Sequence, residues 1–183
     1  MENSYTFNLY SKKCSLGISD ALYAFSNGYD TPTIVCIGSD LVLGDSLGPL
    51  VGTILNRKNL PAYVYGTLNS PVTAKEISYI KDILNSVHKK STVIAVDAAV
   101  GNSDDVGLIK VNNCGLMPGL GVNKDLGTMG DISIIGIVAE KDYGNYSLFN
   151  TTRLGLVYKM AESIAGGIFD YISRLNSLSK SCV

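Results

Sequence analysis

The chain has 183 residues, of which 46% are hydrophobic and 17% charged, with a formal net charge of −1. A chain of that size reads as one domain with a sizeable core. The near-neutral balance leaves no electrostatic footing for nucleic acid, and no run of about 18 apolar residues marks a membrane span.

Residues 1–31 read as a polar, Tyr- and Ser-rich lead-in. It carries one short amphipathic helix through Leu16, Ile18, Ala21, Leu22 and Phe25, with a C-cap glycine at Asn27-Gly28. Met1 to Tyr5 has no basic stretch followed by an apolar one, so it is not read as a signal peptide. The main domain is expected over 32–183. It opens with a strand near 33–37, a helix near 46–58, a strand near 62–66, a helix near 73–87 and a strand near 92–97. Such alternation predicts an α/β fold with a parallel sheet. A strand is expected at 107–111 and another at 131–139. Between them runs a Gly-rich segment, Asn112 to Gly130, without periodicity; a loop of that length inside a compact domain is usually functional. The last helix is expected from about 151 to 175, with Leu154, Val157, Ala161, Ile164, Ile168 and Ile172 at helical spacing. Gly166-Gly167 inside it is costly unless a neighbour packs closely there.

Three polar clusters converge if the sheet forms this way. The first is Ser39, Asp40 and Asp45, in the turn between the first strand of the domain and its helix. The second is Asp97, closing the apolar run Thr92-Val93-Ile94-Ala95-Val96. The third is the loop Gly115 to Lys124. Carboxylates brought together from two strand ends can share a proton, which suits general acid and base work on water. Asp45 reads equally as a helix N-cap, and Asp40 as a plain turn residue. The only histidine, His88, precedes the strand that carries Asp97, about 20 Å away along the sheet. It reads as a solvated helix-end cation beside Lys89 and Lys90. Cys/His and Ser/His pairs are therefore not expected. The four cysteines, Cys14, Cys36, Cys114 and Cys182, have neither metal-ligand spacing nor the density of a disulfide scaffold, which points to a reducing, cytoplasmic setting. Cys36 reads as core and Cys114 as the candidate reactive thiol. No metal and no cofactor are expected. Gly119-Leu120-Gly121 with Lys124 offers a weaker alternative, an anion cradle.

The strand-turn-helix Ile37-Gly38-Ser39-Asp40 through Gly44-Asp45-Ser46-Leu47-Gly48-Pro49, the strand Ile94-Ala95-Val96-Asp97-Ala98, and the run Cys114-Gly115-Leu116-Met117-Pro118-Gly119-Leu120-Gly121-Val122-Asn123 follow one another in a telling order. Together they resemble the YyaC-type sporulation proteins, a class related to the germination protease of endospore-forming bacteria and more distantly to hydrogenase maturation proteases. The resemblance covers roughly residues 32 to 175. It implies a phosphorylase/hydrolase-like, three-layer α/β sandwich with a mostly parallel central sheet. It also implies an aspartic-type peptidase with Asp45 and Asp97 as the catalytic pair. Ser39, Asp40, Gly119, Gly121 and Asn123 are then the candidate substrate-binding residues. The implied partner is a protein or peptide substrate, such as a spore protein, in the cytoplasm or forespore; homo-oligomer formation is left open. In the hydrogenase proteases a histidine joins the acids in recognising a metal on the substrate, and no histidine here fills that role. The short lead-in is not read as a cleavable pro-segment. The alternative is a non-catalytic binding or regulatory protein on the same scaffold.

Overall fold

The computed structural model describes residues 3–26, 31–118, 127–141 and 152–181. Among the described residues the strands are β1 (Ser4–Asn8), β2 (Thr33–Cys36), β3 (Tyr63–Tyr65), β4 (Val93–Gly101), β5 (Leu108–Asn112) and β6 (Ile132–Glu140), and the α-helices are α1 (Cys14–Phe25), α2 (Leu47–Asn56), α3 (Ile77–Val87) and α4 (Leu154–Ser181). They form one sheet in the order β1-β5-β6-β4-β2-β3.

β2, β3, β4 and β6 are mutually parallel, as the alternation of strand and helix requires. β2 is buried along its whole length, which explains the apolar run Ile34-Val35-Cys36 after Thr33. β5 follows β4 after the short connection 102–107 and lies antiparallel to β6, and β1 pairs antiparallel with β5. Ser4-Tyr5-Thr6-Phe7-Asn8 alternates exposed and partly buried residues, the pattern of a strand with one face on the core. That strand lies inside the expected polar lead-in, and β1 and α1 share the sheet and the main core with the rest of the chain.

Helices cover both faces. α1, α2 and α4 pack on one side around Ile34, Cys36, Ile94, Val96, Ile132 and Ile134. On the other side Val35, Ile37, Val93 and Ala95 lie under Ile77 and Ile80 of α3, joined by Leu116 and Met129. Those last two residues come from the Gly-rich segment. They form an antiparallel bridge, with Leu116 N–H to Met129 O at 3.0 Å and Met129 N–H to Leu116 O at 2.8 Å. The result is the expected three-layer α/β sandwich. Gly166-Gly167 finds its packing partner in α1: a Cβ on Gly167 would stand 2.7 Å from Cβ of Ile18. The Ser15 hydroxyl donates to Ser163 O at 3.0 Å across the same crossing.

β4 continues past its expected end at Asp97. Ala98 to Gly101 pair with Gly136 to Glu140 of β6, with a register shift between Ala99 and Val100. Partner hydrogen bonds extend the strand where its own sequence turns from large apolar residues to alanine and glycine.

A carboxylate pair at the sheet switch point

From β2 the chain crosses through α2, on one face, to the edge strand β3. It then returns through α3, on the other face, to β4 on the opposite side of β2. The connections thus part between β2 and β4, and ligands of open α/β sheets bind at such a point, beyond the carboxyl ends of the strands.

Asp45 is delivered to it by a closed turn. Past Cys36 the Ile37 N–H still bonds Val96 O at 2.8 Å, and the Gly38 N–H bonds Val72 O at 2.9 Å. Gly38 then turns with φ +140, and a Cβ there would stand 2.0 Å from the carbonyl oxygen of Asp45. Only glycine permits both the conformation and the approach. The Ser39 N–H donates to that same Asp45 oxygen at 3.2 Å, closing the loop. Asp45 falls in a 3-10 turn, Gly44–Ser46, which leads into α2 and packs against β4. No side-chain cap bond is made at the start of α2. The cap reading of Asp45 therefore has no hydrogen bond behind it.

Asp97 lies on β4 opposite Ile135 of β6, one residue beyond the Cys36–Val96 pairing at which β2 ends. By the alternation of the strand it faces the α3 side, in the row of Val93 and Ala95. Its Oδ1 accepts the Ala98 N–H at 2.8 Å. Burial pushes the Asp97 carboxyl up to about 8; the Ala98 N–H pulls the value down, and the charge of Asp45 raises it. Burial also raises the Asp45 carboxyl, against the opposing pull of the Ser39 N–H. The two carboxyls thus influence each other's titration, with burial the larger cause of the rise at both.

The remaining sequence candidates divide. Ser39 sits in the same turn, with its hydroxyl accepting the Leu41 N–H at 3.2 Å, and Asp40 is exposed on that turn. Gly119, Gly121 and Asn123 lie outside the described residues, as does Lys124. One residue behaves differently from its sequence reading. His88 is 6% exposed, not solvated. Its Nε2 meets the Tyr65 hydroxyl at 2.7 Å and its ring packs on Tyr63 at 4.3 Å, because β3 turns both tyrosines toward the end of α3. A signal the sequence reading passed over is Thr73-Ala74-Lys75-Glu76, a capping box. Oε2 of Glu76 accepts the Thr73 N–H at 2.9 Å and the Thr73 hydroxyl at 2.5 Å, which holds the Glu76 carboxyl below its usual range. This box fixes the segment that carries Val72, a wall of the switch point. Among the described residues no three His, Cys, Asp or Glu side chains gather as a metal site.

The family model described as "Protein of unknown function (DUF1256)" matches residues 6–167, nearly the whole chain. The chain belongs to this DUF1256 family. It is 43% identical over 136 residues to the Bacillus subtilis (strain 168) protein described as "Uncharacterized protein YyaC", covering 74% of this chain and 66% of that one. The DUF1256 chain thus spans just under two thirds of that relative's length. The three motifs that resemble the YyaC type are matched here by similarity along most of the chain. Among solved structures, the NiFe hydrogenase maturation protease HycI from Thermococcus kodakarensis KOD1 superposes with a TM-score of 0.55 at 17% identity, over 86% of this chain and 99% of that one. The DUF1256 chain therefore has a maturation-protease-like α/β fold.

Proposed function

We propose that this DUF1256 protein is a peptidase of the aspartic type, with Asp45 and Asp97 as its acid pair. The observation that carries the reading is the coupling of two carboxyls at the sheet switch point, with Asp97 held protonated into the neutral range by burial and by the Asp45 charge.

In this reading the ionised Asp45 takes a proton from water as the water oxygen attacks the peptide carbonyl carbon. The protonated Asp97 gives its proton to the carbonyl oxygen, and a neutral gem-diol forms. On collapse the C–N bond breaks, the amine nitrogen takes the proton held by Asp45, and a gem-diol hydroxyl returns its proton to Asp97. Both acids end as they began. The Ala98 N–H on Oδ1 of Asp97 supports this assignment, because it leaves Oδ2 as the oxygen that bears the proton. The substrate is a protein or peptide, Ser39 and Asp40 border its path, and Gly119, Gly121 and Asn123 remain the sequence candidates for binding it. A spore protein as substrate and a forespore setting rest on the resemblance to YyaC-type sporulation proteins. No described helix is long and apolar enough to cross a membrane.

The test is to incubate proteins extracted from spores with wild type, Asp45→Asn and Asp97→Asn, and to map new termini by mass spectrometry. Wild type should generate discrete cuts, and each variant should lose about a hundredfold or more in rate. If no cuts appear, or if the variants cut as fast as wild type, the proposal fails. Retention of a specific protein without cleavage would favour the binding-protein alternative.

A further inference from the structure

The turn that carries Asp45 is held from outside the two strands of the acid pair. Past β3 the chain leaves the sheet at Gly66 and comes back at Val72, which forms a parallel bridge with Ile37 just beyond the end of β2. The departing end is tied to α2, where the Leu68 N–H donates to the Thr53 hydroxyl at 2.9 Å. Thr67 and Ser70 close the excursion with backbone bonds of 3.0 and 3.1 Å. Glu76 ties the returning end.

The peptide group between Val72 and Thr73 is gripped on both of its polar atoms. Its carbonyl oxygen accepts the Gly38 N–H at 2.9 Å, and its N–H donates to Oε2 of Glu76 at 2.9 Å. A trans peptide is planar, with its C=O and N–H pointing in opposite directions, so holding the N–H sets the direction of the carbonyl. A carboxylate on the N–H also polarises the group and makes its oxygen a stronger acceptor. The contacts from Thr73 hold the Glu76 carboxyl below its usual range, so it is charged at neutral pH. Although Glu76 is the N-cap residue of α3, its side chain makes no cap bond to that helix. Its carboxylate serves the segment before the helix.

Beyond the Val72 carbonyl stands the Asp45 turn. Gly38, whose N–H that carbonyl holds, has φ +140 and lies against the Asp45 carbonyl oxygen. The next N–H, that of Ser39, bonds the same oxygen at 3.2 Å and pulls the Asp45 carboxyl down. Glu76 is thereby joined to Asp45 through the Val72–Thr73 peptide and the Gly38–Ser39 backbone.

We infer that Glu76 is a positioning residue of the carboxylate pair, holding Asp45 in place through the Val72–Thr73 peptide and Gly38, a role that rests on the reading of Asp45 and Asp97 as a coupled pair.

The test compares Glu76→Ala, which removes the acceptor, with Glu76→Gln, whose amide oxygen still accepts from Thr73. On the full chain it measures native-state amide exchange at Gly38, relative to Ile94 in the core, and the carbon-13 NMR titration of the Asp97 carboxyl. In Glu76→Ala the Gly38 amide should exchange about tenfold or more faster, as expected when a charge-assisted bond is lost. Asp97 should titrate about half a unit or more lower in pH as Asp45 draws away. Glu76→Gln should recover most of both effects. Ile80→Val, which thins the packing of α3 without touching Glu76, should lower the melting temperature and leave both readouts at wild-type values. Should Glu76→Ala not fold, Thr73→Val removes only the hydroxyl contact and should give the same two changes in smaller size. Faster exchange confined to the first turn of α3, with Gly38 and Asp97 as in wild type, would reduce Glu76 to a helix cap and overturn the inference. So would a Glu76→Gln protein no closer to wild type than Glu76→Ala, or an Ile80→Val protein with the same changes. Asp45→Asn separates the two readings. An Asp97 titration unmoved there overturns the coupled pair and this role with it; one that moves there but not in Glu76→Ala overturns the positioning role alone.

Discussion

The charge of Asp45 raises the pKa of Asp97 across the seam between β2 and β4. One carboxyl sits in the turn that leaves β2, and the other sits on β4 one residue past the point where β2 stops. The backbone sets this arrangement: Gly38 lets the Asp45 carbonyl fold back on the end of β2, and the next strand over is longer than β2 on that side.

The first prediction is a pH dependence of stability. An acid whose folded pKa lies above its unfolded value binds its proton more tightly in the native state. Stability therefore falls as pH rises from about 4, the unfolded value, and levels off once pH passes the folded value of about 8. Asp97→Asn removes this penalty. The variant should match wild type near pH 4 and exceed it by on the order of 1–3 kcal/mol near pH 8, after allowance for the solvent that reaches the pair. Urea unfolding of both proteins across that range checks it. A gap that stays constant with pH would contradict the coupling.

A second prediction separates the partners. Asp45→Asn deletes the charge that Asp97 senses, so the Asp97 carboxyl should titrate at lower pH than in wild type. Carbon-13 NMR of the labelled side-chain carboxyls reads the shift directly. An unmoved Asp97 titration would mean that the two acids act independently.

Gly38→Ala should cost more than about 2 kcal/mol in stability, because φ +140 is strained for alanine and the added Cβ meets the Asp45 oxygen. Since that contact positions Asp45, the variant should also lower the Asp97 pKa. Chemical unfolding gives the first effect and NMR titration the second.

Gly167→Val tests the crossing of α1 over α4. The new side chain would enter Ile18, and overpacking of this kind costs about 1–3 kcal/mol. The acid pair lies elsewhere, so the Asp97 titration should be that of wild type while the melting temperature drops.

Thiol reactivity supplies the last prediction. Cys114 is exposed, whereas Cys14 and Cys36 are buried with their thiols pushed up by desolvation. Iodoacetamide at neutral pH should label Cys114 while Cys14 and Cys36 stay unmodified until the chain is unfolded, as peptide mapping would report. Labelling of Cys36 in the native protein would contradict its core position.

By itself the sequence determined the elements whose signals are local. The β-branched runs of β2 and β4, the 3.6-residue spacing of α4 and the glycine after β2 need no distant partner to be read; they were enough to predict an α/β fold with a parallel sheet and to place Asp45 and Asp97 among the candidates, while their pairing as catalytic acids came from the resemblance of the three motifs. The tertiary structure alone decided what depends on contacts far apart in the chain. Ser4-Tyr5-Thr6-Phe7-Asn8 alternates like a strand, but five residues cannot hold that form until β5 offers Asn112 to Leu108 as a partner. β4 outruns Asp97 because β6 is there to pair with it. His88 reads as a surface cation until β3 brings Tyr63 and Tyr65 against it. The protonation of Asp97 has the same origin: a carboxyl in sequence has an ordinary acidity, and only burial beside a second charge, both products of the completed sheet, moves it.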